Sequence, residues 1–276
     1  MSFEFKFPRF DEEFPLLNQL ILGLAGEHKA EKIQTWNDLD QRAKSFFTTE
    51  IMNAMDAKAP GWKKMASYSN GITLTHVTCV FLGMYMLPEY DALSDEQKQL
   101  AKWIILFHDI DKVHVKGKKD TMHPFKSAVV AAKDLPTLGF TITKEYPSVI
   151  EGWSNLTTNA YISRLWLPPK PNNKKIPEIL SGINRLFGDN SPAALITKTI
   201  LLHTSLDVDK NYPTPAAFNE AEIKRFIDPL MFPLLKVMML SDNEGWSLFE
   251  PKVRQQQRHD TIRAFERFQE LIHPTS

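Results

Sequence analysis

Six side chains of metal-ligand type stand where helix faces should be buried: His76, His108, Asp109, His123, His203 and Asp242. His76 lies inside the apolar stretch LTHVTCVFLG, and the pair His108-Asp109 closes the run WIILFHD. His123 precedes Pro124 at a helix start, His203 ends ITKTILLH, and Asp242 follows LLKVMML. A buried imidazole or carboxylate needs a partner, and a shared divalent metal would satisfy several of them together. Mixed imidazole and carboxylate ligands suit iron and manganese best, with zinc, cobalt, nickel or magnesium as further candidates. Neighbouring residues on a helix point about 100° apart, so His108 and Asp109 can share one ion only near a helix end. The polar stretch from Asp109 to Met122 supplies such an end.

Taken singly, each residue has a plainer reading. A histidine on an apolar face is more often hydrogen-bonded in a core than bound to metal. Asp242, followed by Asn243, Glu244 and Gly245, could simply end a helix. His28, His114, His259 and His273 stand in polar contexts and are given no role. Cys79, three residues from His76, reads as a small buried packing residue.

The elements that must position these residues are helices. Apolar periodicity predicts helices over 14–24, 36–57 (with Asn37 as its cap), 71–87, 147–167, 176–187, 192–206, 223–241 and 252–272. Ser94 to Gln97 has capping-box spacing and opens a helix running toward His108. His123-Pro124 opens another, with proline in the first turn. Prolines at 168, 169 and 171 predict a break, and Pro229 and Pro233 interrupt the helix before Asp242. No alternating strand pattern and no Gly-rich phosphate loop occurs, so the expected fold class is all-α.

Composition narrows the functional classes. Lys plus Arg and Asp plus Glu both total 33, and a chain without basic excess is a poor binder of long nucleic acid. A single cysteine excludes an intramolecular disulfide and a cysteine-ligated cluster. The N-terminus lacks the pattern of a signal peptide, and no apolar run has the length of a membrane span, so a soluble cytoplasmic protein is expected.

In order, these residues resemble the HD superfamily of metal-dependent phosphohydrolases, whose pattern is His, then His-Asp, then a distal Asp. Here that is His76, His108-Asp109 and Asp242. The binuclear branch adds two histidines, which His123 (in HPFKSA) and His203 (in LLHTS) resemble. The Lys that often follows the His-Asp element is Lys112, while Asp111 stands where glycine is common. The resemblance spans roughly residues 70–245. It implies a single HD-domain-like helical bundle over 1–276, with residues 140–190 as an inserted helical segment that could cap the site.

It also implies two ions. His76, His108, Asp109 and Asp242 would hold one and His123 and His203 the second, with Asp109 bridging. Lys112 becomes the first candidate to contact a phosphoryl oxygen and Lys126 a weaker one. Lys116, Lys118, Lys119, Lys170, Lys174 and Lys175 read more simply as solvated. Trp153, Tyr161 and Trp166 could line a ring-binding wall or belong to an ordinary core. The expected partner is a small anionic, phosphorylated substrate such as a nucleotide, hydrolysed by a metal-activated hydroxide. The same ligand set also serves mixed-valent di-iron oxygenases that cleave C–C or C–P bonds with O₂. A nuclease fits the charge balance poorly, and a non-catalytic module fits a complete ligand set poorly.

Overall fold

The structure, a computed structural model, describes residues 6–66, 72–113, 120–164, 167–208 and 213–272. It is an all-α fold, 68% helical. Five helices open the chain: α1 (Phe10–Glu13), α2 (Pro15–Lys29), α3 (Trp36–Phe46), α4 (Thr49–Lys58) and α5 (Trp62–Ala66). Then come α6 (Ile72–Met84), α7 (Pro88–Asp91), α8 (Asp95–Phe107), α9 (His123–Asp134) and α10 (Tyr146–Thr158). A hairpin of β1 (Tyr161–Arg164) and β2 (Leu167–Pro171) leads through a 3₁₀ turn at Asn173–Lys175 to α11 (Ile176–Phe187). The chain closes with α12 (Pro192–Leu202), α13 (Glu220–Phe226), α14 (Phe232–Ser247) and α15 (Pro251–Ile272).

Local chemistry explains most boundaries. Ser94 caps α8 by accepting from the Gln97 N–H, and the Gln97 side chain accepts from the Ser94 N–H in return. Residues 36–57, expected as one helix, form two, because Thr48 turns extended and accepts the Ile51 N–H as a new cap. The cap of α3 is Thr35, not Asn37: its hydroxyl accepts from the Asp38 N–H, and Asp38 accepts from the Thr35 N–H.

The expected helix over 147–167 stops at Thr158, where the Thr158 hydroxyl and Asn159 amide donate to the Ser154 and Asn155 carbonyls. The chain then forms the hairpin, pairing Tyr161 with Pro171 and Ile162 with Lys170. Both strands of a two-stranded ribbon are edges, which tolerate the missing N–H groups of Pro168, Pro169 and Pro171. Residues 140–190 are therefore helical with one hairpin. Helices α10 and α11 pack on each other and against α9 and α12. The hairpin is tied to the segment before His123 by the Thr121 hydroxyl, which donates to the Pro169 carbonyl.

The centre of the molecule is built from α6, α8, α9, α12 and α14, which contact one another. Every residue of α12 is buried, including Thr197, Lys198 and Thr199 in its otherwise apolar sequence. Helices α6 and α14 approach closely because each turns a glycine to the other. A Cβ on Gly83 would lie 3.0 Å from the Glu244 Cβ. One on Gly245 would lie 2.9 Å from a Val80 methyl and 3.0 Å from the Val80 backbone nitrogen. Gly245→Ala should therefore push the helices apart, at about 1–3 kcal/mol. We expect a lower thermal midpoint by circular dichroism; an unchanged melt would mean that the contact has slack.

Candidate metal centre

The five central helices each bring one or two of the six candidate ligands inward. His76 projects from the interior of α6, and His108 is the C-cap of α8, its N–H donating to the Ile104 carbonyl. Asp109 follows in a turn, where Ile110 and Lys112 donate backbone N–H groups to the Phe107 and Asp109 carbonyls. This tightening past the helix end lets neighbouring side chains converge. His123 is the first residue of α9, His203 the C-cap of α12. Asp242 lies inside α14, which continues to Ser247 rather than ending there.

The ligand atoms fall into two trios. His76, His108 and Asp242 each place one within 4.8 Å of the other two, and Asp109, His123 and His203 do the same. Asp109 stands between them. Its Oδ2 is 3.6 Å from Nε2 of both His76 and His108, and its Oδ1 is 3.2 Å from His123 Nε2. Side chains so placed could hold a metal ion.

Proton bookkeeping strengthens this reading. The Nδ1 atoms of His108, His123 and His203 lie 2.8, 2.6 and 2.7 Å from the carbonyls of Ile105, Asp120 and Ile200. A carbonyl only accepts, so each Nδ1 carries the hydrogen and each neutral ring turns an Nε2 lone pair to the centre. His123 and His203 thus face each other lone pair to lone pair at 3.2 Å. Such an arrangement is repulsive until a cation lies between. Among the described residues, His76 Nε2, His108 Nε2, Asp109 Oδ1 and Asp242 Oδ1 are buried without a hydrogen-bond partner. His76 Nε2 and Asp242 Oδ1 approach to 2.9 Å. Buried polar atoms left unsatisfied are costly, and convergence of four of them fits a divalent cation.

Electrostatics keep the ligands in their binding forms. Burial pushes the pKa of His108 down to about 4 and of His123 down to about 3, and lowers that of His203. Burial opposes ionisation of Asp109, but Lys112 and then the surrounding histidines outweigh it and hold the carboxyl well below its usual range. Asp242 is likewise held low, by His76, His108 and Lys112 against the effect of burial.

Lys112 puts its Nζ 2.6 Å from Asp109 Oδ2, so it stays at the centre as an ammonium. Burial works against that charge, but Asp109 and Asp242 raise its pKa. Lys126 is differently engaged: its ammonium lies 2.9 Å from Asp120, three residues before His123. Asp111 turns away from the centre to pair with Lys64 at 2.9 Å. Trp153 belongs to the core, its indole N–H donating to the Ile179 carbonyl and its ring filling the space over Gly182. Tyr161 is exposed on β1, and Cys79 is fully buried as a packing residue. His114, Lys116, Lys118, Lys119, Trp166 and His273 lie outside the described residues.

Two residues escaped the sequence reading. Trp246 stacks on His76, with ring centres 4.2 Å apart and planes at 24°. Its signal was the spacing of four from Asp242, which puts both on one face of α14. Asp120 is the other: its carbonyl takes the His123 Nδ1 hydrogen, while its carboxylate accepts from Lys126 and the Val113 N–H. Such carbonyl and carboxylate partners orient metal-ligand histidines.

No family model, curated protein or solved structure matches the chain. No helix among the described residues is long and apolar enough to cross a membrane.

Proposed function

We propose that this protein is a metal-dependent phosphohydrolase of the HD type, acting on a small phosphoester at a binuclear centre. The observation that carries the reading is the convergence of unsatisfied Nε2 and carboxylate oxygen atoms in two buried trios on either side of Asp109. His76, His108 and Asp242 would hold one ion and His123 and His203 the other, with Asp109 offering one oxygen to each. Imidazole with carboxylate favours iron or manganese. When bound, two such ions supply a nucleophile from water at neutral pH and stabilise charge on a phosphoryl oxygen.

The protein's own residues do the rest. The carbonyls of Ile105, Asp120 and Ile200 fix three imidazoles in the tautomer that offers Nε2 inward. Lys112 neutralises Asp109 with one N–H and has two further hydrogens for a phosphoryl oxygen. Near-complete burial of His108, Asp109, His123 and His203 keeps bulk water from competing for the developing charge. The centre is least covered beside Asp242 and Lys112, whose side chains are 25% and 23% exposed. A substrate would enter there.

Anaerobically purified protein should contain about two metal ions per chain. It should release phosphate from members of a nucleotide and phosphoester panel with iron or manganese supplied separately. Turnover with O₂ uptake and no phosphate release would overturn the hydrolytic reading in favour of a di-iron oxygenase. His123→Ala and His203→Ala should each remove about one ion and lower kcat by roughly 10²-fold or more. Intact metal content and activity in either variant would make that histidine a structural residue.

A further inference from the structure

Trp62, Trp103 and Trp153 pack in the core at 1%, 0% and 3% exposed, and Trp36 packs half-buried against Phe249. Trp246 is 48% exposed, although one face of its indole is covered by His76. Nearly half of a residue already stacked on one side thus stays open to solvent. It lies one helical turn beyond Asp242, and the Lys112 ammonium is 5.8 Å from its ring centre. The same ammonium sits 2.6 Å from Asp109. Indole and candidate metal-bridging carboxylate therefore flank one cation, at the edge where the centre is least covered.

We propose that Trp246 is a stacking platform for a planar ring of the substrate, which makes that substrate a nucleoside phosphate rather than an aliphatic phosphoester. This rests on the phosphoester reading above: the phosphoryl group goes to the ions and Lys112, and the base stacks on the solvent-exposed part of the indole. An aromatic platform accepts any base, because every base has a π face. Specificity among bases must then come from elsewhere, while the distinction between nucleotide and sugar phosphate comes from Trp246. A pure packing role would explain the contact with His76 but not the exposure of Trp246 beside Lys112.

The test uses full-length protein loaded with zinc, which is redox-inert, and calorimetric titration with adenosine monophosphate and with ribose 5-phosphate. The wild type should bind the nucleotide about tenfold tighter or more. Trp246→Ala should weaken nucleotide binding by roughly 5- to 150-fold, the range for loss of one stacked base. It should leave ribose 5-phosphate binding and zinc content unchanged, and Trp246→Phe should keep most of the preference. A wild type without preference for the nucleotide, or an alanine variant that retains it, overturns the proposal. Should Trp246→Ala lose its zinc, Trp246→Leu takes its place, since leucine packs on His76 without a π face; a preference retained there overturns the proposal equally. Phosphate release is measured separately. Nucleotide binding of the stated pattern without hydrolysis would leave the ring site standing and sink the reaction.

Discussion

On the binuclear centre proposed above, Asp109→Ala should strip both metal ions from the protein, whereas Asp242→Ala should strip only one. Asp109 is the residue whose two oxygens face different trios, Oδ2 toward His76 and His108 and Oδ1 toward His123. Removing it takes the carboxylate from His123 and His203, leaves His76 and His108 with Asp242 alone, and leaves Lys112 without its nearest counter-charge. Asp242 belongs to one trio alone, with its Oδ1 2.9 Å from His76 Nε2. The expected metal content is near zero for Asp109→Ala and about one per chain for Asp242→Ala. Phosphoester turnover should fall on the order of 10³-fold or more in Asp109→Ala. Inductively coupled plasma analysis of both variants, with circular dichroism to show that each is folded, checks this. An Asp109→Ala protein that keeps two ions would remove the bridging role altogether.

Acid should destabilise the metal-free protein well above the range in which carboxylates titrate. His108, His123 and His203 are ordinary histidines with pKa 6.5 in the unfolded chain, but burial lowers them in the fold, the first two to about 4 and about 3. As pH falls below 6.5, the unfolded chain takes up protons that the folded chain refuses. Stability is therefore lost progressively down to the folded pKa values. The slope is about 1.4 kcal/mol per pH unit for each proton bound only by the unfolded chain.

Asp134 runs the other way, since burial and Asp56 push its pKa up to about 7. Glu244, whose pKa burial also raises, runs with it, and two such carboxyls against three histidines leave a net loss. Below about 3.8 the depressed carboxyls of Asp109 and Asp242 add their own loss. Denaturant unfolding of chelator-treated protein at pH 7, 6 and 5 measures the slope. A flat profile would mean that the histidines are not buried as neutral rings. Bound metal should shift the whole transition to lower pH, because protons and metal compete for the same Nε2 atoms.

The helices themselves were readable because their signals are local. Ser94 and Gln97 cap α8 three residues apart, Pro124 sits in the first turn of α9, and Ile176–Phe187 carries its apolar stripe from end to end. The failures were also local in origin, arising where side chains compete with the helix ladder. Thr48 divided one helix into two, and Thr158 and Asn159 ended α10 early enough for a proline-rich hairpin to form.

By itself, then, the sequence determined which residues could be ligands and that helices would carry them. His108 and Asp109 stand at a helix end, and His76 and His203 lie in apolar runs where only a satisfied imidazole can stay. The tertiary structure decided the partition into two trios, the position of Asp109 between them, the diversion of Lys126 to Asp120, and the stack of Trp246 on His76. The physical reason is range. Periodicity and capping act over three or four residues and tell which face of a helix turns inward. The pairing of His76 with Asp242 depends on α6 and α14 meeting across Gly83 and Gly245, a contact between distant segments that no local pattern encodes.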